Sequence, residues 1–380
     1  MKSIALFHPF TANAIGLRQQ DLLHSHSRPH MEALIVLQKE GYTVLVDYFC
    51  KGAFFNIKVY GELKKRFWPL TSLMLEKKGW RKEHSLWHFC YTFLRPSDVT
   101  IINMSGLLSP YTIRLGNILH RRGKPYIAML GGVHVAFHEA ARLYFERAHH
   151  IIVHTEGQRQ ELLRHSNFQD LDIRVVPLGV DTTIFYPSKT KRETELFELL
   201  MVSRITPLKQ IELGIKAAAH CLEKGEQVCL TVIGPISDAI YYHELQELVT
   251  QYGIEANVVF KGALEHEQLV SYYQKADVLL LPSAHESFGM VMVEAMACGV
   301  PVVALKGSGG PDEIVKHNEN GILCDASSYP VSVYDLLKEK SKLLQLRKAS
   351  QRSVEEKWSI KETIKSMNAS VEDCLRDNKL

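Results

Sequence analysis

Short apolar runs separated by helix-length stretches recur along this chain, and that rhythm limits its folds more than any other feature. In the second half the runs occupy 199–202, 228–233, 257–260, 278–281, 302–304 and 322–324. In the first half they occupy 4–7, 43–46, 99–102, 126–130, 151–153 and 173–176. Runs of this length without polar alternation read as strands buried on both faces. Strands alternating with helices make a parallel, doubly wound sheet. Two such series predict two Rossmann-like domains in tandem, at 1–184 and 185–358. Asp181, Pro187 and a polar, charged run interrupt the pattern at 180–194 and predict a hinge there. Ligands of such sheets bind outside the carboxyl ends of the strands, so two domains facing each other would share a central cleft.

Composition narrows the function classes. A hydrophobic fraction of 46% and a charged fraction of 23% over 380 residues are those of a globular protein with room for two cores. The net charge of +3 gives no global drive toward nucleic acid. No charge-free apolar run approaches membrane-spanning length, and the amino terminus reads as a first strand rather than a signal sequence. Seven scattered cysteines without a C-x-x-C pair predict reduced thiols and a cytoplasmic setting. No G-x-G-x-x-G follows a predicted strand and no Walker A sequence is present, which disfavours nicotinamide dehydrogenases and P-loop NTPases.

The chemistry concentrates at 285–304. Glu286 and Glu294 stand eight positions apart in one of the most apolar stretches of the chain. Glu286 falls in a strand-to-helix loop and Glu294 inside the following helix, expected over 289–298 and closed by Gly299 and Pro301. Three and four residues from Glu294 lie Met290, Val291, Ala297 and Cys298, so the helix offers it no partner of its own. A buried, unpaired carboxylate is costly, which favours a ligand with hydroxyls. The free amides around Phe288, Gly289 and Met290 suit phosphate. Glu294 lies roughly 7 to 8 Å further along at about 1.5 Å per residue, comparable with the span from a diphosphate to a ribose diol. The competing reading is a surface Glu286 and a Glu294 paired to another helix. Two cations lie near the end of the 199–202 strand: Arg204, and Lys209 in what reads as the first turn of the next helix. There Lys209 opposes the helix dipole and calls for another explanation, such as a diphosphate leaving group.

These residues resemble the E-x7-E signature of the retaining glycosyltransferases of family 4, which have the GT-B fold. The pattern joins Glu286-Ser287-Phe288-Gly289, Glu294-Ala295 and Gly299-Val300-Pro301-Val302-Val303-Ala304. The likeness extends through 176–181, Val202-Ser203-Arg204 to Lys209, Ile233-Gly234 and Phe260-Lys261-Gly262, and is loose before Pro125. It implies transfer of a sugar from a nucleoside-diphosphate sugar (UDP- or GDP-sugar) to a hydroxyl of a glycan or glycolipid, with retention of configuration, as in polysaccharide biosynthesis. It further implies that Glu286, Arg204, Lys209 and His134 act at the reacting centre, with His138 as substitute for His134. Glu294, Ser287, Phe288, Gly289, Met290, Gly262, Leu264 and Gly234 would bind the donor, with Ser308, Gly309 and Gly310 in a second glycine turn. The terminal segment 359–380 resembles the family's helix that crosses back to the first domain. The loop after His8-Pro9 lacks the family's Gly-Gly pair, so no site residue is placed there.

No metal or other cofactor is expected. The Asp170-Leu171-Asp172 pair lies before a strand, toward the amino edge of the sheet, and no His/Cys cluster has ligand spacing. Residues 51–95 read as an insertion, and 51–82 hold nine basic against two acidic residues among aromatics. That suits an anionic membrane surface, hence peripheral attachment at the inner face; the alternative is a solvated helical insertion whose aromatics pack inward. A sugar-nucleotide epimerase on the same fold and a catalytically silent binding protein remain as other readings. Donor base, acceptor, linkage and oligomeric state are not written in the sequence.

Overall fold

The structure is a computed structural model that describes residues 1–15, 17–24, 26–52, 55–60, 63–71, 80–132, 135, 138–188 and 195–377. The chain forms two compact units, Met1–Pro177 with Lys361–Leu380, and Leu178–Ile360.

The first unit is built on β1 (Ser3–His8), β2 (Thr43–Cys50), β3 (Asn56–Tyr60), β4 (Leu63–Pro69), β5 (Val99–Ile102), β6 (Tyr126–Met129), β7 (His150–Val153) and β8 (Ile173–Val175). Their order across the sheet is β3-β4-β2-β1-β5-β6-β7-β8. All neighbours are parallel except β3 and β4, which form an antiparallel edge. The helix Ile360–Asp377 closes this unit: Met367, Val371, Cys374 and Leu375 enter the core with Ile4, Leu6 and Val99. Arg174 also ties to Asp373 at 2.8 Å.

Strands β3 and β4 correct the reading of 51–82 as a solvated helical insertion, because part of the basic stretch is sheet core. Lys65 is fully buried, and its Nζ donates to the carbonyls of Leu22 and Leu23 at 2.9 and 2.7 Å. Arg66 sits opposite Asp47 in the β2/β4 register and grips both carboxylate oxygens at 2.7 Å, while Trp68 Nε1 donates to the same carboxylate at 2.7 Å. Burial alone would raise the Asp47 pKa, but hydrogen bonds from His88 and Arg66 outweigh it and hold it at about 2. Of the aromatic and basic residues of 51–82, Phe54, Lys77 and Lys78 lie outside the described residues.

The second unit carries β9 (Leu196–Val202), β10 (Gln227–Ile233), β11 (Val258–Gly262), β12 (Val278–Leu281), β13 (Val302–Leu305) and β14 (Gly321–Cys324), all parallel, in the order β11-β10-β9-β12-β13-β14. Alternate residues serve opposite cores. Leu199, Met201, Val278 and Leu280 face one, and Leu200, Val202, Leu279 and Leu281 the other. That is why these strands appear as unbroken apolar runs.

Asp47→Ala would leave Arg66 buried without its anion, and we expect a loss of about 3–5 kcal/mol in urea unfolding at pH 7. The group's folded pKa is depressed, so its contribution is present above the unfolded value near 3.9 and disappears as pH falls toward 2. Acid acts earlier through His154, whose buried ring has its pKa lowered to about 4, chiefly by desolvation. Between about pH 6.5 and 4 the unfolded chain binds the proton that the folded ring refuses, so stability falls as pH drops. The unfolding free energy from urea titrations should fall across that window by on the order of 3 kcal/mol for this ring, and His154→Gln should blunt the fall.

Candidate functional site

In the second unit, the strand order runs outward in opposite directions from the adjacent, parallel central strands β9 and β12, so the connections that leave their carboxyl ends diverge and open a crevice. After β9 come Ser203, the exposed Arg204 and a 3-10 turn, Pro207–Lys209. Gln210 then adopts a left-handed φ of 45° and the helix Ile211–Glu223 begins. Lys209 therefore precedes the helix, and the opposition to its dipole expected from the sequence does not arise. What the structure gives it instead is Glu286, the first residue of the signature, at 2.6 Å. The two side chains are 14% and 18% exposed, enough to be reached from solvent yet too enclosed for an ordinary surface pair. Ala284 N donates to Leu208 O at 3.0 Å and holds the two loops together.

Glycine makes the next junction. The Glu286 amide donates to Ser308 O, and its carbonyl accepts from Gly310 N, both at 2.7 Å. Such an approach leaves no room for side chains: a Cβ on Gly310 would stand 2.2 Å from Phe288 O, and one on Gly309 2.6 Å from Glu286 O. Gly309 also has a φ of 103°, which L side chains avoid. Ser287 and the buried Phe288 follow, then Gly289 opens the helix Met290–Ala297 with no side-chain cap. Its first amides thus point outward at the positive end of the helix.

Gly234 N, after β10, donates to Gly262 O at the end of β11 at 2.8 Å, and a Cβ on Gly234 would fall 1.8 Å from Ser203 O. Leu264 is partly buried beside the core that contains Phe288. At the same edge, Ser203 Oγ, Gln210 Oε1 and Ser283 Oγ are buried without a hydrogen-bond partner. Nothing in the residue pattern marks these three.

Glu294 is 4% exposed, as its apolar neighbours require, but it is not unpaired. Tyr273 Oη donates to one carboxylate oxygen and His266 Nε2 meets the other, each at 2.8 Å. Both partners lie on the helix His266–Lys275, one face apart by seven residues. The competing sequence reading, a partner on another helix, is the geometry observed. Burial and the Glu294 charge push the Tyr273 hydroxyl well above its usual range, and Cys298 is driven up to about 12 by the same two causes.

Other candidates fall elsewhere. His134 lies outside the described residues, and His138 caps the helix Glu139–Arg147 by accepting from Ala141 N at 3.2 Å. Asp172 is engaged by Arg174 Nε at 2.8 Å. Among the described residues no group of three or more His, Cys, Asp or Glu is placed to hold a metal.

Because the loops meet backbone to backbone, Gly310→Ala should force 305–310 away from 286–288. We expect a fall in melting temperature of several degrees, equivalent to about 1–3 kcal/mol, together with loss of ligand-induced stabilisation in a thermal-shift assay.

Residues 183–354 match the family described as Glycosyl transferases group 1. The D-inositol 3-phosphate glycosyltransferase of Mycolicibacterium smegmatis is 36% identical over 188 residues, covering 47% of this chain and 42% of that protein. Its namesake from Arthrobacter sp. is 33% identical over 184 residues, covering 46% and 43%. The chain thus spans less than half the length of these relatives. Solved structures cover far more. A glycosyltransferase from Rickettsia africae superposes with a TM-score of 0.76 at 15% identity, over 98% of each chain. Sucrose-phosphate synthase from Thermosynechococcus elongatus gives 0.75 at 19% identity, over 99% and 100%. HepE from Anabaena, in complex with UDP and glucose, gives 0.72 at 18% identity, over 98% and 100%. The chain has the two Rossmann-like units of the GT-B fold, and residues 183–354 of its second unit are similar to the Glycosyl transferases group 1 family.

Proposed function

We propose that this protein is a glycosyltransferase that moves a sugar from a nucleoside-diphosphate sugar, with UDP or GDP as the nucleotide, to a hydroxyl of a glycan or glycolipid acceptor, with retention of configuration. The Lys209–Glu286 pair carries the reading, because it sets a cation and a hydroxyl-binding carboxylate beside an uncapped helix start at the switch point of the sheet. A diphosphate on the amides of Gly289 and Met290 would draw Lys209 and the exposed Arg204 to its oxygens and neutralise the charge that develops as the glycosidic bond breaks. Glu286, released from Lys209, then accepts from the hydroxyls of the transferred sugar. Catalysis in this scheme is positioning and charge stabilisation, with no metal required.

Glu294 serves the ribose diol. Each carboxylate oxygen has a second lone pair beyond the one engaged by His266 or Tyr273, and those donors fix the orientation of the group. The unpartnered Ser203, Gln210 and Ser283 atoms supply further contacts to the donor. Support for the nucleotide comes from the UDP complex of HepE, and for sugar transfer from the names of the relatives. His134 and His138 are proposed for the reacting centre on family resemblance alone. Peripheral attachment to an anionic membrane at the cytoplasmic face is supported by Leu86, Trp87, Phe93 and Leu94, all exposed on one short helix, with exposed Lys64, Arg81 and Lys82 elsewhere in the same unit.

Lys209→Ala should lower kcat/KM for transfer by about 10²-fold or more, and Glu286→Gln by a comparable factor. Glu294→Gln should raise the donor KM with a smaller change in kcat, whereas a merely structural Glu294 would lower stability and leave KM alone. Unchanged turnover in Lys209→Ala would refute the assignment. Incubation with donor alone separates the epimerase reading, since an epimerase converts the sugar and a transferase at most hydrolyses it slowly.

A further inference from the structure

A second cavity lies wholly within the first unit, and nothing above gives it a role. It measures about 450 Å³ and opens among the turn Trp80–Lys82, the start of the helix Leu86–Leu94 and the start of the helix Pro110–Arg121. Its place in the fold is that of a ligand site. The helix from Pro110 follows β5, and Glu83, part of the lining, bonds Thr11 in the loop after β1. Strands β1 and β5 are the parallel pair from which the strand order of this sheet runs outward in opposite directions.

The lining carries three cations against one carboxylate. Arg81, Lys82 and Arg114 line the cavity and are exposed. Glu83 is the one carboxylate of the lining, and both its oxygens are occupied by the amide and hydroxyl of Thr11 at 2.8 Å. No carboxylate among the described residues pairs with Lys82 or Arg114. Leu86, Phe89, Pro110 and Tyr111 give the wall an apolar and aromatic part, beside the polar Thr71, His84 and Ser85. Leu86 begins the helix whose outer face exposes Trp87, Phe93 and Leu94. Cations at the mouth with an apolar wall behind them match a ligand that is anionic at one end and hydrocarbon at the other.

We infer that this cavity binds a phosphate ester of an amphiphile, and, resting on the glycosyl-transfer reading, that the acceptor is presented through such a phosphate. The phosphate lies against Lys82 and Arg114 and the hydrocarbon along Leu86 and Phe89. A membrane lipid and a soluble phosphate ester share that chemistry.

Hexyl phosphate, hexanol and inorganic phosphate titrated calorimetrically into the full chain test the inference. Hexyl phosphate should bind at least tenfold more tightly than either of the others, and the double variant Lys82→Glu/Arg114→Glu should lose at least tenfold of that affinity. Both residues are exposed, so the variant should keep its melting temperature, and its binding of UDP or GDP should match the parent. Vesicles of phosphatidylglycerol and of phosphatidylcholine identify the source. Retention of the parent, but not of the variant, on the anionic vesicles points to a lipid; hexyl phosphate binding without vesicle binding points to a soluble ester. No binding of hexyl phosphate, equal binding of hexanol, or unchanged binding by the variant would overturn the inference. Since no nucleotide sugar enters the test, its failure would leave the donor site in the second unit untouched.

Discussion

The peptide of Glu286 is held from both sides by the backbone of 308–310, and the candidate site depends on that clamp. One hydrogen bond enters from the Glu286 amide and one returns to its carbonyl, so the residue's backbone cannot rotate without breaking both. Only residues without Cβ at 309 and 310 permit such proximity. With the loop fixed, the Glu286 carboxylate meets Lys209, and the uncapped start of the Met290 helix is set beside them. Rigidity here is functional, because electrostatic stabilisation of a leaving group works when the charges are already in place.

Glu294 shows how burial and chemistry can be reconciled. An ionised carboxylate in the core around Met292 and Met296 would be ruinous alone. Tyr273 and His266 solve that problem while occupying only part of its hydrogen-bonding capacity. The same logic operates in the first unit, where Asp47 is buried and satisfied by Arg66 and Trp68. There the group serves stability.

Much of the architecture was legible because parallel strands buried on both faces leave unmistakable apolar runs. Strands β5 and β12 coincide with their sequence runs, and most of the others differ by one or two residues at an end. The large failure lies at β3 and β4, where inward positions hold Lys65 and Arg66. Hydrophobic pattern cannot reveal a strand whose buried side chains are cations satisfied by distant carbonyls and by Asp47. Of the candidate site, the signature residues were visible through spacing. The partners of Glu294 were not, since His266 and Tyr273 meet it only after the two helices pack. Lys209 was noticed for a wrong reason, as its turn could not be told from a helical one by composition.

The central claim is that the carboxyl edge of the second unit binds a nucleoside diphosphate through Lys209 and the start of the Met290 helix. Calorimetric titration of UDP, GDP and ADP into the protein tests it most directly. Saturable binding of one of the three, weakened at least tenfold in Lys209→Ala, is the predicted result. Binding of none, or equal affinity in the variant, would contradict it.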